Sequence, residues 1–187
     1  MLARREETDG DELVLSLQLN RDVDLYGLEV VRRCKWGYPV VIKNFPLLKG
    51  VPFPTLYWLT CPYLVRKVGE LEDSLKNEVK IREDRLLRAH RLYASLRFRY
   101  FISFSGISKL FIPMNFLRVI AFSGVGGVMR DMRKVKCLHS HYAFYLAGYE
   151  DPIGELVDGL LWERECLDNR CETMLRKIGV VVSGEEF

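Results

Sequence analysis

The step from Cys61 to Pro62 divides this chain into two patterns. Before it, Gly27–Cys34 alternates apolar and polar residues, and Tyr38–Lys43 is rich in β-branched side chains. Both are marks of half-buried strands. Lys35, Trp36 and Gly37 between them predict a hairpin. Residues 44–54 hold three prolines and a glycine, which predicts a structured loop, and Thr55–Thr60 predicts a third strand. After Pro62 the apolar spacing becomes helical to about Tyr100. Leu75, Val79, Leu86, Tyr93 and Leu96 are core candidates there, with Gly69 and Asn77 as break points. Pro62 suits the boundary, because its ring presets a helical φ and its missing N–H is one the first turn leaves unpaired anyway. The expected fold class is α+β: a small N-terminal antiparallel sheet of about three strands packed on a mainly helical body.

Residues 1–12 read as a loose charged arm and 13–187 as a single α+β domain. A further helical stretch, Ile107–Phe122, must break near Pro113. Ser123–Gly127 reads as a loop, Asp131–Ala147 as a helix, and another helix is expected from Pro152. Lys109 and Arg118 interrupt the most apolar region, 100–129, so no membrane span is expected. The first residues lack the apolar core of a signal peptide. These features point to the cytoplasm, where the five cysteines stay reduced.

Charge is unevenly distributed. Residues 80–136 carry 13 Lys and Arg against three Asp and Glu, although the whole chain is only +3. Such a basic middle predicts a positive surface facing an anion, or pairing with the acidic ends. His90, Tyr93 and Arg97 fall at i, i+3 and i+7, one helical face, and would suit an anionic substrate. Arg130, Arg133 and Lys134 follow the glycines 124, 126 and 127 ahead of the predicted helix, an arrangement able to hold phosphate. The two groups are expected to converge on one pocket for a phosphate-containing small molecule. Aromatics interleaved with the basic residues also fit single-stranded nucleic acid, the weaker match because no binding motif accompanies them.

"KCLHSHYAFYLAG", residues 136–148, places Cys137, His139 and His141 within five positions. On a continuous helix Cys137 and His141 share a face and would bind a metal as an i,i+4 pair, while His139 would need a bend or the first turn to join them. The plainer reading is a buried cysteine beside a hydrogen-bonded histidine. Cys34 ends a strand ahead of a turn, Cys61 precedes a helix, and Cys166 and Cys171 flank a short loop. No pair has the CxxC spacing, so a zinc finger is not indicated. A centre assembled from scattered ligands remains: Cys34, Cys61 and Cys137, completed by His139, His141 or a cysteine of the 166/171 pair. Thiolate-rich ligation selects zinc or an iron–sulfur cluster.

Two other functions compete with metal binding. Cys61 at a helix N-terminus, with His90 as base, would be a nucleophile acting on an acidic substrate. Alternatively the chain is a metal-free interaction or nucleic-acid-binding protein whose cysteines only pack.

The stretches "RCKWGYPVVIKN", "PFPTLYWLTCPYL", "AHRLYASLR", "GVGGVMRDMRKVKCLH" and "ECLDNRC" resemble an uncharacterised bacterial family, domain of unknown function 501. The resemblance implies that Cys34, Cys61, His90, Tyr93, Arg97, Cys137 and His139 are motif positions, and it implies no activity. Trp36 departs from relatives that carry a second cysteine there.

Overall fold

The computed structural model describes residues 3–23, 25–48, 51–75, 83–104 and 113–180. Helix α1 (Ala3–Leu19) takes in most of the segment expected as a loose arm. Strands β1 (Glu29–Arg33) and β2 (Pro39–Lys43) form the expected hairpin, with Glu29 opposite Lys43 and Val30 opposite Ile42. Its turn needs Gly37, whose φ of +80° a Cβ would penalise. Short strands β3 (Leu47–Leu48) and β4 (Val51–Pro52) pair within the proline-rich loop. Strand β5 (Tyr57–Leu59) then lies antiparallel to β2, so the sheet order is β1-β2-β5. The central strand buries Pro39, Val40, Val41 and Ile42 in succession, and its proline stands at the first position, where the missing donor costs least.

The helical body follows: α2 (Pro62–Leu75), α3 (Glu83–Phe104), α4 (Met114–Phe122), α5 (Leu138–Leu146), α6 (Pro152–Leu160) and α7 (Arg170–Lys177). The α+β expectation holds. Two boundaries differ from the expected ones. Gly69 does not break α2. The helix expected from Asp131 starts only at Leu138, because Asp131 closes a turn on the N–H groups of Arg133 and Lys134 and the chain then runs extended to Cys137. The glycine segment therefore leads into a short 3-10 turn, Val125–Gly127, and not into an α-helix. The suggested break at Asn77 and the stretch 107–112 lie outside the described residues.

Helix α5 is the centre of the packing. It is apolar almost all round, the pattern of a helix enclosed on every side, and Leu138, Tyr142, Ala143, Phe144 and Leu146 are all buried. It lies against β5, α2 and α6. Burying a side chain such as Phe144 contributes about 1.5–3 kcal/mol. The approach of α6 is close enough that a Cβ at Gly154 would meet the His141 carbonyl at 2.8 Å, which explains a glycine in that helix. No helix among the described residues is long and apolar enough to cross a membrane.

Candidate functional site

Helix α5 begins at Cys137, whose extended φ of −155° makes it the N-cap. That start decides which histidine joins the thiol. With no helical turn before it, Cys137 does not share a continuous face with His141; the first turn instead brings His139 alongside. Cys137 Sγ lies 3.9 Å from His139 Nδ1, and the same nitrogen lies 3.3 Å from Glu72 Oε2. The other carboxylate oxygen, Glu72 Oε1, accepts the Leu138 N–H at 2.9 Å, which ties α2 to the start of α5. His139 Nε2 is 2.9 Å from the Val65 carbonyl oxygen, so this nitrogen donates there, and Nδ1 is turned toward the thiol and the Glu72 carboxylate. Val65 and Glu72 stand two turns apart on one face of α2, with Gly69 between them beneath the imidazole.

Sulfur, imidazole nitrogen and carboxylate oxygen lie within 4.8 Å of one another, the one such group of three among the described residues. All three side chains are half-buried. Burial alone would raise the Cys137 thiol, but His139 and the Ser140 N–H and hydroxyl hold it below its ordinary value. The contact with Cys137 raises His139 against the effect of burial. A cleft of about 250 Å³ opens beside the group, bordered by Arg21, Phe53, Thr55, Trp58, His139 and Ser140. The Arg21 guanidinium lies 4.5 Å over the Trp58 ring and so forms a cationic, aromatic wall.

The remaining cysteines gather elsewhere. Cys61 and Cys166 are buried in the main core, with Cys34 packed against it, and Cys171, on α7, is buried in the cluster that α7 forms with α1. Burial pushes the Cys61 thiol up, outweighing the N–H groups of Leu64 and Tyr63 at the start of α2. Burial likewise pushes Cys171 up to about 11. The expected helix-start position of Cys61 is thus present, but its desolvation outweighs the dipole.

His141 is fully buried, and its Nδ1 lies 2.8 Å from Asp151 Oδ2, also inaccessible. His90 is enclosed too: its Nδ1 accepts the Val125 N–H at 2.9 Å, and its ring meets that of His141 edge-on at 5.4 Å. A Cβ at Gly124 would strike the His90 ring, so this turn can close only with glycine there. Tyr93 and Arg97 share the inward face of α3 with His90. The Tyr93 hydroxyl accepts from the N–H groups of Leu56 and Tyr57 at 2.6 and 3.1 Å. Arg97 donates to the carbonyls of Ile120 and Pro54 at 2.7 Å each, to Val119 at 3.3 Å, and to Ser123. The face predicted from the spacing exists, and its donors and acceptors serve residues 54–57 ahead of and at the start of β5, the last turn of α4 and the segment after it. Arg130, Arg133 and Lys134 stand exposed outside it, with Arg133 Nε 3.6 Å from Glu83 Oε2.

Sequence reasoning missed Glu72, which sits in the run "GELEDSL" and carries the pattern of a solvated helix face. It also missed Val65, because a backbone carbonyl has no residue-type signal.

No curated protein and no solved structure matches the chain. The model of the family described as "Protein of unknown function (DUF501)" matches residues 30–159, more than half of the sequence, and the chain belongs to that family.

Proposed function

We propose that this protein binds a single transition-metal ion, zinc by its chemistry, through Glu72, Cys137 and His139. One observation carries the reading: three different donors stand at separations of 3.9 and 3.3 Å and all fall within 4.8 Å. A tetrahedral zinc ion with bonds of about 2.0–2.3 Å holds its donors roughly 3.3–3.8 Å apart. The bond between His139 Nε2 and the Val65 carbonyl is the outer-shell contact that orients a ligating imidazole. A thiolate with an imidazole selects zinc over magnesium or calcium. Three protein ligands leave a fourth position for water or a small molecule, the arrangement of catalytic rather than structural zinc, and the cleft bordered by His139 is the approach to it.

Elemental analysis after equilibration with zinc tests this. One zinc per chain is expected, and Glu72→Gln, Cys137→Ala and His139→Ala should each weaken binding by more than about 10-fold. Folded protein that stays zinc-free in excess zinc overturns it. A second reading uses the same residues: Cys137 as nucleophile with His139 as base, supported by Nδ1 facing the sulfur beside a cleft. In that case Cys137 reacts with iodoacetamide at about pH 6 faster than the other four cysteines, well below the free thiol's usual range. Equal rates exclude it.

A further inference from the structure

The four cysteines that the zinc centre does not use come from three parts of the chain, after β1, before α2 and around the start of α7, and are drawn to one end of the sheet. Cys34 closes β1, and the two residues after it are fastened to the segment before α7. The Lys35 N–H donates to Glu165 Oε1 at 3.0 Å, and the Trp36 indole donates to the Cys166 carbonyl at 3.1 Å. Cys61 is held to the same end because Thr60 bonds twice across β2, its N–H to the Val40 carbonyl at 2.9 Å and its hydroxyl to the Pro39 carbonyl at 3.3 Å. Gln18 of α1 joins the fourth. Its amide donates both to the Pro39 carbonyl at 2.9 Å and to Cys171 Sγ at 3.2 Å. Cys34, Cys61 and Cys166 thus belong to one core cluster, and Gln18 brings Cys171 to the same end of the sheet. Three of the four are buried and all are free thiols.

We propose that Cys34, Cys61, Cys166 and Cys171 are the ligands of one iron–sulfur cluster, a second centre distinct from Glu72–Cys137–His139. Four free cysteines converging from distant parts of a chain exceed what packing requires, since any small apolar residue would fill the same space. The donor set selects the occupant. Four thiolates with no imidazole or carboxylate among them are the ligand set of an iron–sulfur cluster. Zinc is the other ion that four thiolates hold, and it forms the parallel arm of the test. The Gln18 amide on Cys171 is the kind of N–H···S contact that such ligands accept.

The test is anaerobic reconstitution of the full chain with ferrous iron and sulfide, with zinc alone as a parallel arm. The chain should take up iron and acid-labile sulfide in equal amounts and gain the visible absorption of thiolate-bound iron. Four thiols should lose reactivity to a maleimide at the same time. Cys137→Ala removes the proposed zinc centre, so iron bound by that variant belongs to the four-cysteine site. Cys171→Ser should lower iron uptake severalfold. Should that variant fail to fold, thiol protection in the unaltered chain still decides. Zinc protecting all four thiols without any uptake of iron and sulfide overturns the cluster, and protection by neither overturns the site.

Discussion

His90 is the side chain whose titration the fold alters most usefully. Burial, and then the neighbouring His141, lower its pKa from the usual 6.5 to about 4, against the opposing pull of Asp151 and the Lys134 carbonyl. The unfolded chain takes up this proton below about pH 6.5, while the folded one refuses it until about pH 4. Folding stability from this residue is therefore complete above pH 6.5 and is lost as pH falls through that window, by no more than about 3 kcal/mol. Urea unfolding at a series of pH values should show that loss, and His90→Gln should flatten it. A slope unchanged in the variant would remove His90 as the cause. The spacing of His90, Tyr93 and Arg97 makes their common face legible from sequence alone. Tyr93 was legible as a core position, but the burial of His90 and Arg97 beside it was not, because charged and polar side chains normally mark the wet side of a helix. Here they turn inward to satisfy carbonyls and N–H groups that the entry to β5, the end of α4 and the turn after it bring into the core.

At the scale of elements, the start of α5 governs the site. The run 130–136 consists largely of good helix formers, so a helix was expected through it. Arg130, Arg133, Lys134 and Lys136 repel at helical spacing, and Asp131 offers the backbone a competing turn. The helix consequently waits for Cys137, and the delay exchanges His141 for His139 as the partner of the thiol. The hairpin and β5 were legible because alternation and prolines are local signals. The join between α5 and α6 depends on Asp151, which is buried and caps α6 through the N–H groups of Ile153 and Gly154 while holding His141. Asp151→Ala should cost about 3–5 kcal/mol, combining a lost cap with an unpaired buried imidazole. Asp151→Asn keeps the cap and should cost less. Denaturant midpoints for the two variants check this, and equal losses would contradict a capping role.

Across the whole molecule, the five cysteines divide into two neighbourhoods. In the sequence, scattered single cysteines with His139 and His141 clustered beside one of them suggest ligation. Their grouping is not legible there, because it is set by contacts between residues far apart in the chain: Trp36 with Cys166, Gln18 with Cys171, and Glu72 with Leu138. The sequence reading joined Cys34 and Cys61 to Cys137, whereas the fold seats Cys137 against a glutamate of α2. Zinc would therefore meet one sulfur in this protein and not several. Zinc-edge X-ray absorption of the chain loaded with one equivalent of zinc measures that directly. The expected first shell has one sulfur at about 2.3 Å with the remaining nitrogen and oxygen ligands at about 2.0–2.2 Å. A shell of several sulfurs, or one without sulfur, would contradict the Glu72–Cys137–His139 centre.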